Sequence, residues 1–282
     1  MTALVIGGSG TLGWYLKESL TKAGIAYLAP SSSELDIASD SSVSNFFLAN
    51  KSFDTIYLLA AETNVDLCET NPESGYQINV LGTERIAKQA VQSGSYLVYI
   101  STSGVFGGGS QNKWRYCELD APSPANLYGT SKLFGEQSII RICKNYFIVR
   151  SSWMIGGGPS RDKKFLSKII PMLRENKDLT VVHDKIGSLT YAKDLADFLV
   201  EAYYKKYTNI THFASENYAS RYDIVKYVGA LLKSTSKIKG IDSTQFPLPA
   251  PRPMSEALYS ITNLTKNKKW EEIIEDYMQE WR

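Results

Sequence analysis

Histidine and cysteine are scarce in this chain: 282 residues hold two of the first and three of the second. His183 and His212 stand 29 positions apart with no carboxylate cluster beside either, and Cys68, Cys117 and Cys143 are odd in number, widely spaced and without a CxxC. Neither a catalytic metal nor a disulfide framework is expected from that supply, and a reducing cytoplasm is the compartment it fits. An excess of one charge is missing too. Thirty-one Lys and Arg against 29 Asp and Glu leave a formal net charge of +2, too weak a basic field for nucleic acid, and the Lys-rich TKNKKW has the composition of a solvated turn. Apolar runs such as IYLLAA (56–61) are far too short to cross a bilayer, and no basic segment followed by an apolar one opens the chain, so neither membrane insertion nor export is expected.

What is present is the composition of a globular protein, 43% hydrophobic and 21% charged, with length for one large unit or two closely joined lobes. ALVIGG is a short apolar run ending in glycines. TLGWYLKESLTKAG then carries Leu12, Leu16 and Leu20 at helical spacing and stops at Gly24. The alternation continues with IAYLAP, DSSVSNFFLANK, TIYLLAA, a helical stretch from about Pro72 to Gly94, YLVYIST, NLYGTSKLFGEQSIIRICKN and YFIVRSS. Continuous apolar strands, each followed by a helix, predict an α/β fold with a doubly wound parallel sheet of Rossmann type. After Arg150 the rhythm breaks at GGGPSRDKK. A smaller C-terminal substrate lobe is expected from 151–189 and 209–282, with a return to the 1–150 dinucleotide-binding lobe near 190–208.

Two features bear on chemistry. GGSGTLG (7–13) places Gly7, Gly10 and Gly13 at three-residue intervals between the first strand and the first helix, where glycines permit a tight turn and close approach of a pyrophosphate to the helix N-terminus. NLYGTSKLFGEQ (126–137) puts Tyr128 and Lys132 one helical turn apart, on one face. Spacing alone does not select that pair, because RYDIVKYVG repeats it with Tyr222 and Lys226 in a chain of 18 tyrosines. Location does: only Tyr128 and Lys132 follow the strand carrying Thr102 inside the dinucleotide lobe.

The GxxGxxG loop, followed in order by LLAAETNVDLCETNP, INVLGTERIAKQA, YISTSGVFGG and LYGTSKLFGE, resembles the extended short-chain dehydrogenase/reductase family. SELDIASD, VRSSWMIGG and VVHDKIGSLTYAKDLA are similar to segments of the branch that reduces nucleotide-linked 4-keto-6-deoxysugars for surface polysaccharide. The resemblance implies a catalytic set of Thr102, Tyr128 and Lys132, in which the lysine's charge favours phenolate and its amine holds the nicotinamide ribose. It implies a dinucleotide, NADPH or NADH, held by Gly7, Gly10, Thr11, Leu12, Ser31, Asp36, Ile37, Ala60, Ala61 and Asn79 as well as by Tyr128 and Lys132. Asn79 has an equally good alternative as a brace of the active-site backbone. No acid stands immediately at the tip of the second strand, and Ser31 and Ser32 are offered as donors to a 2′-phosphate, which leans the choice toward NADPH. A nucleotide-sugar substrate is implied at Ser103, Trp153, Gly187 and Arg252; nucleic acid and membrane are not, and a homodimer is compatible. The chain departs from the branch at Ser103 and Gly104, where an acid and a tyrosine are usual, at Leu189, and in PRPMSE, which keeps Arg252 but lacks a neighbouring Arg and Asn. An epimerase or dehydratase of the same family, and a non-catalytic NADP-binding regulatory subunit, are the alternatives that stay open.

Overall fold

β1 (Thr2–Ile6), β2 (Ala26–Leu28), β3 (Thr55–Leu58), β4 (Tyr96–Thr102) and β5 (Tyr146–Ser151) alternate with α1 (Thr11–Lys22), α2 (Asp40–Ala49), the short α3 (Val65–Thr70) and α4 (Pro72–Gly75), α5 (Thr83–Ser93) and α6 (Leu127–Ile142). Between α4 and α5 the stretch Tyr76–Gly82 is wound as a π-helix. The remainder comprises β6 (Trp153–Ile155), α7 (Gly158–Arg161), α8 (Phe165–Arg174), β7 (Leu179–Val182), β8 (Ile186–Gly187), β9 (Leu189–Tyr191), α9 (Ala192–Lys205), β10 (Asn209–Phe213), β11 (Ala219–Ser220), α10 (Arg221–Leu231), β12 (Ile238–Ile241), β13 (Ser255–Glu256) and α11 (Trp270–Gln279). This computed structural model describes residues 2–50, 52–109, 113–265 and 267–282. Among them, no helix is long and apolar enough to cross a membrane.

Six strands form one sheet in the order β10-β5-β4-β3-β1-β2, and every pairing in it is parallel. Alternation along the strands explains their unbroken apolar sequence. Val5, Tyr57, Val98 and Val149 pack to one face with Leu16 and Leu20 of α1 and Leu195 and Leu199 of α9. Leu4, Ile56, Leu97 and Ile148 pack to the other with Val43 of α2, Ile86 of α5 and Ile139 of α6. With both faces covered, the sheet is the doubly wound type expected. Strand order reverses between β1 and β3, so the crevice at their carboxyl ends is the switch point where such sheets take ligands.

One boundary moves. β10, assigned from sequence to the substrate lobe, is the outer strand of this sheet, pairing with β5 from Asn209↔Phe147 to Phe213↔Ser151. The return to the dinucleotide lobe therefore includes α9 and β10 together, since the helix cannot cross back without delivering its strand. The substrate lobe consists of the small groupings β11-β8-β13, β12-β7 and β6-β9 with the helices around them.

A buried ion pair ties these parts together. Arg150, on β5, donates from Nε and Nη2 to the two carboxylate oxygens of Glu136 on α6 at 2.9 and 2.7 Å, with side chains 3% and 1% exposed. Arg150 Nη1 lies 3.4 Å from Nε2 of His212 on β10. The His212 Nδ1 faces the carbonyls of Tyr116 and Tyr259 at 3.2 and 3.1 Å. This geometry suits a neutral imidazole that donates from Nδ1 and accepts at Nε2. Burial, with the Arg150 charge beside it, holds His212 below the ordinary imidazole range, against the opposing pull of Glu118.

Two stability experiments follow. A Cβ at Gly13 would lie 2.4 Å from the Gly7 carbonyl oxygen and 2.6 Å from Gly8 Cα, whereas one at Gly10 meets only the Gly7 oxygen at 3.5 Å. Gly13→Ala should cost about 1–3 kcal/mol in urea unfolding, and Gly10→Ser, which offers a cap hydroxyl to α1, should leave stability unchanged or raised; equal losses would show that both glycines serve packing. Glu136→Gln strands a buried guanidinium and should cost about 3–5 kcal/mol. Because the folded state disfavours His212 protonation, stability should be full above the ordinary imidazole pKa of about 6.5 and fall as pH drops below it. A His212→Asn variant should have a flatter stability profile across that acid range, and an unchanged slope would place the titration elsewhere.

Candidate active site

The chain leaves β1 through Gly7, whose φ of +90° is readily adopted only by glycine. A Cβ there would also sit 2.6 Å from the Ala60 amide nitrogen beyond β3, so the loop is seated in the switch-point crevice, with Ala60 and Ala61 half-buried beside it. Gly8 reaches the other neighbour: a Cβ there would come 3.0 Å from that of Ala29, beyond β2. Thr11 and Leu12 open α1, with Leu12 buried. Gly10 is the N-cap and has no side-chain acceptor, and a helix start of that kind leaves its first N–H groups to an outside anion. The room above Gly10 is not needed by the fold. Gly7, Gly10 and Thr11, with Ala60 opposite, form a cradle that fits a dinucleotide pyrophosphate.

Beyond β2 the sequence expectation changes. The amide and hydroxyl of Ser31 both donate to Glu34 Oε2, each at 2.8 Å, and these bonds, the amide's foremost, hold the exposed carboxyl below its usual range. Glu34, three residues beyond Ser31, thus engages one of the donors that a 2′-phosphate was expected to use. Asp36 is exposed and accepts from the Ala38 amide at 2.9 Å. Ile37 is buried against Gly82, so its side chain belongs to the core, and its carbonyl accepts from Arg85 Nη1 at 3.3 Å.

The chemistry-bearing helix is placed by its own first turn. Asn126 caps α6, accepting from the Gly129 amide at 2.9 Å. Gly129 packs on the turn after β4 so closely that a Cβ would fall 2.0 Å from the Gly104 carbonyl oxygen. Tyr128 is thereby set beside Thr102, a Cβ at Gly104 meeting Thr102 Oγ1 at 3.3 Å and Tyr128 Cε1 at 3.5 Å; Thr102 Oγ1 accepts from the Gly104 amide at 3.0 Å. Burial pushes the Tyr128 phenol up to about 12, the Thr102 bond partly offsets this, and Glu256, Cys68 and Glu62 reinforce it. Lys132 is 2% exposed. Its Nζ donates to the Ile100 carbonyl at 2.8 Å and lies 4.0 Å from the centroid of the Tyr99 ring. Burial pulls this amine down to about 7, with Glu136 opposing. The sequence pattern has the lysine charge favouring phenolate; in the structure the amine turns to Ile100 and the phenol is held protonated.

Asn79, in the π-wound turn, accepts from the Glu62 amide at 2.9 Å and donates to the Glu62 carbonyl at 3.0 Å and to Ser131 Oγ at 2.9 Å. These bonds make it a brace between the segment after β3 and α6. Tyr222 and Lys226 lie on α10, whose buried face packs toward β7 and β12, away from the glycine loop.

On the substrate side, Ser103 is 2% exposed within the turn after β4. Trp153 lies on Gly187, where a Cβ would come 2.4 Å from the indole, and its Nε1 donates to Glu256 Oε2 at 2.8 Å. Arg252 pairs with Asp66 at 3.0 Å and donates to the Ala250 carbonyl at 2.8 Å. Its loop is joined to α6 by Asn126 Nδ2, which donates to the Pro251 carbonyl at 2.9 Å. Thr102, Tyr128, Lys132, Trp153 and Gly187 are thus gathered at one end of the crevice, while Ser31, Asp36 and Ile37 stand at the other. Glu256, Glu62 and Arg221 were not legible as site residues; Glu256 is visible in PRPMSE only as one loop charge until β13 pairs with β8. No group of three or more His, Cys, Asp or Glu placed to hold a metal occurs among the described residues.

Comparison with known proteins agrees with this geometry. The family model described as RmlD substrate binding domain matches residues 1–282. The chain is 30% identical to a dTDP-4-dehydrorhamnose reductase of Mycolicibacterium smegmatis, over 97% of this chain and 84% of that one. It is 30% identical to the spore coat polysaccharide biosynthesis protein SpsK of Bacillus subtilis, over 98% and 96%. Among solved structures, dTDP-4-dehydrorhamnose reductase from Yersinia enterocolitica superposes with a TM-score of 0.94 at 38% identity, covering 100% of this chain and 99% of that one. The Bacillus anthracis reductase in complex with NADP superposes with 0.92 at 28% identity, covering 99% of each. A Thermus thermophilus UDP-glucose 4-epimerase complex with NAD, at 18% identity, TM-score 0.76, and 92% and 90% coverage, shares the fold. With the family model matching residues 1–282 and the fold superposing over the whole chain, this chain belongs to the RmlD substrate binding domain family, within the extended short-chain dehydrogenase/reductases.

Proposed function

We propose that this chain is an NAD(P)H-dependent reductase of a nucleotide-linked 4-keto-6-deoxysugar, acting in deoxysugar synthesis for surface polysaccharide. The observation that carries the reading is the placement of Tyr128 beside Thr102, the two side chains flanking Gly104 at the carboxyl end of β4, with burial raising the phenol. When bound in the glycine-loop cradle, the dinucleotide supplies a hydride to the carbonyl carbon. Tyr128 gives its proton to the carbonyl oxygen as negative charge develops there, and solvent restores the phenol; ketone, hydride and proton sum to the alcohol. Thr102 orients the phenol and donates to the same oxygen. Lys132 stands one turn below with a nearly balanced amine, set to hold ribose hydroxyls and to meet the phenolate left after transfer. Trp153 walls the sugar, and Arg252, with its planar guanidinium, is the residue for the nucleotide diphosphate. The Glu34 carboxylate on Ser31 argues against strong selection for a 2′-phosphate, so both NADH and NADPH are expected to serve.

The test is a panel of dTDP-, UDP-, GDP- and CDP-linked 4-keto sugars, followed by loss of reduced-dinucleotide absorbance. Stoichiometric consumption with one of them supports a reductase; turnover of a sugar with no net consumption would mark an epimerase or dehydratase. Tyr128→Phe should bind dinucleotide normally and lose about 10² or more in turnover, Lys132→Met should weaken both, and Tyr222→Phe should match wild type. Equal losses at Tyr128 and Tyr222 would assign the chemistry to the wrong helix. Gly10→Val should weaken dinucleotide affinity severely in a fluorescence titration while the fold persists, and unchanged affinity would remove the cradle from the site.

A further inference from the structure

Glu256 occupies a position where three independent contacts meet. It lies on β13, in register with Gly187 of β8, and its main-chain oxygen accepts from Ser152 Oγ at 2.8 Å, so its backbone is fixed by neighbours on both sides. Its carboxylate accepts the Trp153 Nε1 proton at 2.8 Å. The indole held by that bond has Gly187 beneath it and the Arg221 guanidinium 4.7 Å from its ring centroid, the same distance at which Arg221 meets Phe165. Three groups therefore fix the ring, and only one of them, Glu256, grips its polar edge.

We infer that Glu256 is a positioning residue for the reduction, fixing the Trp153 indole at the substrate wall and setting a negative charge toward the Tyr128 hydroxyl. A neutral acceptor such as glutamine would hold an indole N–H as well, so the orienting contact alone does not call for a carboxylate. The charge has a second target. Glu256 is held at the end of β5 by Ser152, whose neighbour Ser151 pairs with Thr102, and Thr102 and Tyr128 flank Gly104 together. The Glu256, Cys68 and Glu62 charges act on the phenol in the same sense, while Lys132 is turned to Ile100. Arg252 is paired with Asp66, and Arg221, stacked on the same indole, is the cation that meets the Glu256 carboxylate from the substrate lobe. A negative charge there disfavours phenolate and keeps the proton donor loaded toward alkaline pH. This inference rests on Tyr128 being the donor.

The experiment uses the full chain, the keto sugar that proves active and four variants, each checked by circular dichroism. Glu256→Gln keeps an acceptor for the indole and removes the charge. Its KM should stay near wild type, while the alkaline limb of kcat/KM moves down by about one pH unit, the scale of a single charge facing a titrating group at short range. Glu256→Leu removes both features and should raise KM about tenfold, the scale of a charge-assisted hydrogen bond. Trp153→Phe should do the same, and the double variant Glu256→Leu/Trp153→Phe should be no worse than either single one in KM, because the two act through one contact. An alkaline limb unmoved in Glu256→Gln, or KM losses that multiply in the double variant, would overturn the inference while leaving the reductase intact. Full turnover in Tyr128→Phe would instead overturn the donor assignment on which it rests.

Discussion

The Glu136–Arg150 pair is the constraint on which the site depends. Tyr128, Lys132 and Glu136 fall at four-residue intervals on α6, so they share a face and move as one. Anchoring the last of them to β5 through two hydrogen bonds, both partners almost fully enclosed, fixes the rotation and height of the other two against β4. A buried pair of this kind is weak evidence for net stability, because desolvation offsets the attraction, but loss of one partner is costly. Specificity of position is the better account. The same arginine reaches His212 on β10, so the helix carrying the chemistry is referenced to two strands rather than one. Close backbone contacts complete the arrangement: a Cβ at Gly135 would meet the Asn79 carbonyl and the Tyr99 hydroxyl, each at 2.6 Å.

That rigidity has an electrostatic consequence. Excluding water around α6 raises the Tyr128 phenol and lowers the Lys132 amine, because burial disfavours the charged form of each. The two shifts move the groups toward the states a reduction requires at its start, a loaded proton donor and an amine able to change charge near neutrality. Glu136 opposes the lysine shift from one turn farther along. A single carboxylate therefore sets the helix and moderates its amine.

The fold was legible because it is written in local pattern. Five apolar segments alternating with helical spacing predict the doubly wound sheet; Gly24 and Gly94, at φ +67° and +69°, mark where α1 and α5 stop. β10 was misplaced because its membership depends on pairing with β5, a partner some 60 residues away. The candidate catalytic helix was legible from Tyr128, Lys132 and their order after Thr102. The direction of Lys132 was not, since only the packed structure has the Ile100 carbonyl waiting for it. Glu34 was overlooked for a related reason: an acid in the turn well past β2 reads as outside the site until that turn folds it back onto Ser31.

The groups expected to meet the sugar come from a different part of the chain than those expected to move hydride and proton. Thr102, Tyr128 and Lys132 sit on the parallel sheet and its helix, whereas Trp153, Gly187, Arg252 and Glu256 come from the short strands and loops of the C-terminal lobe. The loop carrying the last two is pinned against the first lobe at two places: Asn126 holds the Pro251 carbonyl, and Gly107 lies so near Pro253 that a Cβ would come within 2.3 Å. Substitution in this loop can therefore alter which ligand is accepted without disturbing the sheet, while its anchoring residues keep each accepted ligand in reach of Tyr128. The departures at Ser103, Gly104 and PRPMSE fall near this seam between the lobes, whereas Leu189 is enclosed in the apolar core, so the first three can change around a proton donor and a cradle that stay constant.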